Sequence, residues 1–529
     1  MTDVSTPVDS PPSEPAAAAT RPRWARTALL AVVFICAACG LVYELALVTL
    51  GSYLIGNTAT QASIVLAVMV FAMGIGSLAA KPLQRHATMA FALIELLLAA
   101  IGGLSVLLLY GAFAYLELYT PGLVVVAFVL GVLIGAEIPL LMVLLQRIRA
   151  QSPGSAVADM FAADYIGALL GGLAFPFLLL PLLGQIRGAI AVGIVNAVAG
   201  VFLVFVLFGH ELRRREQVGF GLGAIVVISL LLGAFAYSTT FETTARQALY
   251  RDPIVYSRQT PYQDIVITQR TLPGLGPDTR LYLNGDLQFS SIDEYRYHEA
   301  LVHPVLAGPH RRVLILGGGD GLAMREVLRY NDVDSATLVE LDPTMVQLAR
   351  TDHRLRALNK NSMNDRRARV IAADAFAWLR NNGEQFDAII VDMPDPDETA
   401  TAKLYSAEFY TLVRAHLAPG ARMVVQSGSP YFAPKSYWCI DATLQAAGLR
   451  TMPYHVDVPS FGDWGFFLAA TDSSPALRLA APPGLRFLSA TELASAATFP
   501  LDRGYRSMPV STLMNPRILQ YQQSEWAAY

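Results

Sequence analysis

Apolar residues crowd the first half of the chain and thin out near residue 240, where most of the acidic and basic side chains begin. Unbroken apolar runs fall near residues 27–50, 62–80, 88–111, 121–145, 160–183, 187–209 and 218–237. A helix needs about 20 apolar residues to cross a bilayer core. The pattern therefore predicts a bundle of seven transmembrane spans within residues 25–240. Ahead of it, residues 1–24 are rich in Pro, Ala, Ser and Thr without apolar periodicity, the signature of a disordered tail. The first run is too long for a signal-peptide core and reads as a retained anchor.

After residue 250 the period shortens. Ile265–Thr268 and Leu281–Gly285 alternate, with Pro273, Gly274, Gly276 and Pro277 between them, which predicts a small antiparallel β unit over 250–300. From 301 to 475 strands alternate with helices, the order of a Rossmann-like α/β domain of methyltransferase type. Residues 476–529 read as a C-terminal extension without a chemical motif.

Composition sharpens this division. Charged residues make up 15% of the 529, against about a quarter in soluble domains. A formal net charge of −3 gives no general attraction to nucleic acid, which is excluded as a partner. The lipid bilayer is the expected one. Three cysteines, with Cys36 and Cys39 inside the first span, give neither a disulfide framework nor a metal site, and small apolar filler is preferred to a redox pair. Basic residues occupy alternate loops: Arg21, Arg23 and Arg26, then Lys81 and Arg85, then Arg147 and Arg149, then Arg213, Arg214 and Arg215. Only Arg187 lies in the opposite set. The N-terminus is therefore expected in the cytoplasm, and seven crossings leave residues 250–529 outside. Glu44, Glu95, Glu137 and Asp164 interrupt the spans. Carboxylates in lipid are costly, so they are expected either to line a cation path or to hydrogen-bond between helices, with Glu44 near a surface.

The candidate chemistry lies at strand ends. Val313–Leu316 runs into Gly317-Gly318-Gly319-Asp320-Gly321 and then a helix over 322–330. Glycines there allow a tight turn and a close ligand. Ala336–Val339 ends at Glu340-Leu341-Asp342, about 20 residues on, where an acid accepts from ribose hydroxyls. Arg369–Ala372 ends at Asp374-Ala375, placed for an adenine amino group, and Phe386–Val391 ends at Asp392-Met393-Pro394-Asp395-Pro396. Four such ends in order point to adenosine. A dinucleotide fold fits less well, because the loop lacks the G-x-G-x-x-G spacing. Asp320 either caps the next helix or repels the carboxylate of S-adenosylmethionine, thereby selecting its decarboxylated form. Asp392 and Asp395 suit an amine nucleophile, one accepting its proton and the other holding an ammonium. The bland alternative is a solvated acidic loop running on through Asp397 and Glu398.

Together these residues resemble the spermidine synthase family, in its membrane-spanning form. The run Asn284-Gly285-Asp286-Leu287-Gln288, the run Asp293-Glu294-Tyr295-Arg296-Tyr297-His298-Glu299, the loop Gly317–Gly321 with Arg325–Leu328, and the acids at 340, 342, 374, 392 and 395 carry the resemblance over about 250–470. It implies a polyamine aminopropyltransferase. Gln263, His298, Asp320, Glu340, Asp374 and Ala375 would bind decarboxylated S-adenosylmethionine, a co-substrate with no tightly bound cofactor beside it. Asp392 would accept the proton, and Tyr297 and Asp395 would hold the polyamine. Putrescine is the default acceptor, and a homo-oligomer is in keeping with the family. That co-substrate is cytosolic, which opposes the outside placement from charge and span count. Two departures stand out. Asp397-Glu398-Thr399 replaces a Gly-Pro pair, and Val458-Pro459-Ser460-Phe461-Gly462-Asp463-Trp464 lacks the family's acceptor-site tyrosine. The rival functions are a polyamine transporter or sensor that does not turn over, and an S-adenosylmethionine methyltransferase.

Overall fold

The computed structural model describes residues 23–55, 58–116, 118–148, 153–274, 276–480, 482 and 484–526. Apart from Arg23 and Trp24, the expected N-terminal tail lies outside them. The chain divides into two compact units on either side of Leu249 and Tyr250.

The first unit is helical: α1 (Arg23–Ile55), α2 (Thr58–Ala79), α3 (Ala87–Leu116), α4 (Tyr119–Ile148), α5 (Pro153–Ala174), α6 (Leu180–Phe202) and α7 (Arg214–Leu249). Among the described residues six helical runs are long and apolar enough to cross a membrane, where seven were expected. The difference lies in one run, Val157–Leu207, which is 51 residues long and takes in both the expected spans 160–183 and 187–209. Gly184 breaks it with φ 72° and ψ −178°.

Glycines bring helix backbones into contact, as small residues do in lipid. A Cβ at Gly167 would lie 2.2 Å from the Phe34 carbonyl, and one at Gly171 2.5 Å from that of Ala38, so α5 runs parallel to α1. Gly193 lies against Ala99 and Gly103, and Gly200 against Glu95, so α6 runs antiparallel to α3. Tyr43 rests on Gly102, and Cys36 lies near Glu95, so α1 and α3 are parallel. Hence α5 and α6 point in opposite directions. Glu95 and Glu137 are buried inside the bundle, with ligand atoms within 4.8 Å of each other and of the Cys36 thiol. Glu44 and Asp164 are half-buried. All three cysteines are free.

The second unit opens with β1 (Ile254–Gln259), β2 (Asp264–Leu272), β3 (Gly276–Leu283) and β4 (Asp286–Ser290), an antiparallel sheet in chain order. Asn284 and Gly285 make its last turn with φ 53° and 95°, the Asn-Gly choice for a tight hairpin. Then follow α8 (Glu294–Val302), β5 (Arg312–Gly317), α9 (Leu322–Val327), β6 (Ser335–Glu340), α10 (Pro343–Thr351), α11 (His353–Asn359), β7 (Ala368–Ala372), α12 (Ala375–Asn381), β8 (Phe386–Asp392), α13 (Thr399–Ala402), α14 (Ala407–Ala415), β9 (Leu417–Gln426), α15 (Pro434–Ala446), β10 (Arg450–Val458), β11 (Gly462–Ala470), α16 (Ala490–Ser495) and α17 (Arg517–Trp526). The seven-stranded sheet has the order β10-β11-β9-β8-β5-β6-β7. Its five central and outer strands β9, β8, β5, β6 and β7 are parallel, and β11 and β10 run antiparallel at the other edge. Val313, Leu314, Ile315 and Leu316 are all fully buried, as a parallel strand covered on both faces requires.

Candidate active site

Chain order reverses between β5 and β8, which lie side by side, and the crevice beyond such a point is where open α/β sheets take ligands. Here the glycine loop meets the end of β8. Gly317 and Gly318 have φ of 82° and 64°, and the Gly318 N–H donates to the Asp392 carbonyl at 3.0 Å. A Cβ at Gly317 would lie 2.1 Å from that carbonyl oxygen, and one at Gly319 2.7 Å from Glu340 Oε2. Only bare backbone lets these acids sit so close.

Asp320 accepts the Leu322 N–H at 2.8 Å, so the capping role is realised. Burial pushes its carboxyl up and the nearby Glu294 charge adds to this, while His298, the Leu322 N–H and Arg325 oppose. Tyr297 on α8 donates to Asp392 Oδ1 at 2.6 Å. Burial lifts Asp392 to about 6, Asp320 adding to the effect and His298 and Tyr297 opposing it. His298, one residue on from Tyr297, is buried beside Glu294, its Nδ1 2.9 Å from Oε2. Burial disfavours its charge, but Glu294, Asp320 and Asp392 outweigh that and hold the imidazole above its ordinary pKa. Glu340 is pushed up to about 7 by burial and by the Asp342 and Asp320 charges, against the Asp342 N–H that it accepts.

Asp395 lies three residues beyond Asp392. Burial and Asp397 raise it to about 6, against amide hydrogen bonds from Gln426 (3.1 Å) and Gln522 (2.9 Å). The loop is not simply solvated: Asp395, Asp397 and Glu398 are all half-buried.

Asp320, Glu340, Asp392, Tyr297 and His298 thus come together, with Asp395 next along the rim. The other expected residues lie on the same edge, but two are already engaged. Gln263 donates to Asp342 Oδ2 at 3.1 Å, and Asp342 also caps α10. Asp374 caps α12 and pairs with Lys403 Nζ at 2.7 Å. Burial would raise Asp374, but Lys403 and the helix N–H hold it below the usual carboxylate range. Ala375 is buried as the first residue of α12.

Comparison with known proteins adds a sequence-wide finding. Residues 294–479 match the family described as "Spermine/spermidine synthase domain". Polyamine aminopropyltransferase 1 of Streptomyces coelicolor is 58% identical over 99% of this chain and 98% of its own length. The chain belongs to the polyamine aminopropyltransferase family. Polyamine aminopropyltransferase of Mycobacterium tuberculosis is 48% identical over 95% of this chain and 97% of its own. A solved spermidine synthase in complex with the transition-state analogue AdoDATO aligns over 52% of this chain and 89% of its own, at 23% identity and a TM-score of 0.43.

In this family member several site neighbours had escaped the sequence reading. Glu294 holds Arg325 through two bonds of 2.8 and 2.9 Å, and its i,i+4 spacing to His298 was a readable signal. With both partners close, Glu294 stays ionised, down at about 2 despite its burial. Gln426, at the end of β9, is a fifth strand end bearing a polar group, and it accepts from Trp464 Nε1 at 3.3 Å. Phe461 meets the Tyr297 ring edge-on at 6.1 Å and Trp464 at 5.1 Å, so an aromatic pair stands in the segment that lacks the tyrosine. Gln522 carried no local signal, lying 127 residues from Asp395.

Proposed function

We propose that the chain is a membrane-anchored aminopropyltransferase. It moves the aminopropyl group of decarboxylated S-adenosylmethionine to an amine, putrescine by default, giving spermidine and methylthioadenosine. The observation that carries this reading is the shared rim of Asp320, Asp392 and Asp395 around a glycine loop. Such a rim attracts an ammonium and repels the carboxylate that S-adenosylmethionine still bears.

In this reading Glu340 receives the ribose hydroxyls, Asp374 and Ala375 the adenine, Gln263 and His298 the flank of the nucleoside, and Asp320 the aminopropyl ammonium. Tyr297 and Asp395 hold the acceptor. Its nitrogen attacks the propyl carbon next to sulfur, the carbon–sulfur bond breaks with its electron pair going to sulfur, and Asp392 takes the proton lost from nitrogen. A carboxyl titrating near 6 is ionised at neutral pH and still basic enough for general-base work. Holding both reactants in line contributes much of the acceleration.

The functional division we infer is a transmembrane domain over 25–240, a β unit over 250–300, a transfer domain over 301–475 and an extension over 476–529. The opposite directions of α5 and α6 support seven crossings, the break at Gly184 being a turn between two of them. With arginines and lysines in alternate loops, that count favours placing residues 250–529 across the membrane from the N-terminus, whereas the cytosolic co-substrate favours the cytoplasmic side.

The test is turnover. Purified full-length protein given putrescine and decarboxylated S-adenosylmethionine should release methylthioadenosine and spermidine in equal amounts. No product with any di- or triamine discards the reading. Methylated product from S-adenosylmethionine replaces it with the methyltransferase.

A further inference from the structure

The C-terminal extension reaches the acidic rim. Gln522 of α17 is buried, 3% exposed, and its amide donates to Asp395 Oδ2 at 2.9 Å. The other oxygen, Oδ1, accepts from Gln426 at 3.1 Å. Both oxygens of Asp395 are therefore held by neutral amides. Asp374 differs, since Lys403 already occupies it as a cation. A carboxylate fixed by amides keeps its full negative charge for an incoming ammonium, whereas one paired with a lysine has spent much of it.

The two amides are anchored differently. Gln426 Oε1 accepts the Gly428 N–H at 3.1 Å and Trp464 Nε1 at 3.3 Å, so the sheet end orients it. Gln522 is oriented by the seating of α17. Glu525 accepts the Lys435 N–H at 3.0 and 3.1 Å and the Ser436 N–H at 3.1 Å, at the start of α15. Gln523 donates to the Asp397 carbonyl at 2.8 Å, and Ile518 is fully buried in the core. The last helix is thus seated on the loop that carries Asp395 and Asp397.

We infer that Gln522 is a positioning residue for the acceptor amine: it aims the Asp395 carboxylate and keeps it anionic, making α17 a wall of the acceptor site. This rests on the aminopropyltransferase reading. It separates the two substrates, because Gln522 meets the acceptor-side acid and none of the residues assigned to the nucleoside.

The experiment uses the full chain in detergent, with Gln522→Met, which matches the glutamine in size but has no donor, and Gln522→Lys, which sets a cation against Asp395. Spermidine and putrescine are titrated calorimetrically with methylthioadenosine present, so binding is read without turnover. Turnover is measured in parallel from pH 5 to 8. Gln522→Met should weaken amine binding about tenfold, the scale of one hydrogen bond to a charged group. It should also move the acid limb of the acceptor KM to higher pH, since a donor that holds Asp395 down is gone. The nucleoside KM should stay within about twofold, and Gln522→Lys should weaken the amine further. Unchanged amine binding and pH limb in Gln522→Met overturn the inference. So does a loss shared equally by amine and nucleoside, which marks a purely structural role, or a wild type that binds neither amine. A wild type that binds amine without turnover sinks the transferase reading instead, and the Gln522→Met comparison is still read.

Discussion

The surroundings of Asp392 bear on stability and, in its proposed role, on rate. Its carboxyl titrates at about 6 in the folded chain, raised chiefly by burial, against about 3.9 when unfolded. A raised carboxyl binds its proton more tightly when folded. The stability it contributes is therefore full below about pH 4 and lost as pH rises through about 6. At pH 8 Asp392→Asn should stabilise the protein by about 1–3 kcal/mol, seen as a higher midpoint in thermal unfolding in detergent. The rate should move the other way, falling below about pH 6 as the proton acceptor fills, measured as methylthioadenosine released per second. Gly319 gives a separate steric test. Alanine there would place Cβ 2.7 Å from Glu340 Oε2, so Gly319→Ala should weaken nucleoside binding at least tenfold by displacing that carboxylate. An unchanged Kd would mean that Glu340 does not need the loop's bare backbone.

Helix α8 delivers Tyr297 and His298 to the rim, and the pairing of Glu294 with Arg325 of α9 holds it there. Removing one partner of a buried pair strands the other's charge, so Glu294→Gln should cost about 3 kcal/mol in thermal or denaturant unfolding. His298 should also lose its support and titrate lower, visible in the pH dependence of nucleoside binding. The elements that carry the rim were legible because their signals are local. Four apolar strands, each leading within two residues into a glycine or an acid, appear as β5, β6, β7 and β8 within one residue of their expected bounds. The helix after the loop is shorter than expected, stopping at Val327 rather than Tyr330. What escaped depends on contacts between residues distant in sequence. Gln522 reaches Asp395 across 127 residues, and the Lys403 pair with Asp374 spans 29. Neither leaves a periodicity or a motif. The count of six apolar runs against seven expected spans comes from one merged run, in which Pro181 and Gly184 lie where the two expected spans meet, with no polar loop to separate them.

At the scale of the whole chain, two units of opposite character are joined at residue 249. If the chain crosses seven times, as proposed, the N-terminus and residues 250–529 lie on opposite sides of the membrane. Protease added to sealed vesicles of known orientation should then cut tags at the two ends from opposite faces. Cleavage of both from the same face would mean that Val157–Leu207 does not cross twice. The central claim concerns chemistry at the rim, and it is tested most directly by separating binding from transfer at Asp392. Asp392→Asn should bind decarboxylated S-adenosylmethionine within about threefold of wild type, because the proposed nucleoside contacts are made by other residues, while forming no spermidine. Nucleoside affinity that falls in step with transfer, or transfer that persists, would contradict Asp392 as the proton acceptor.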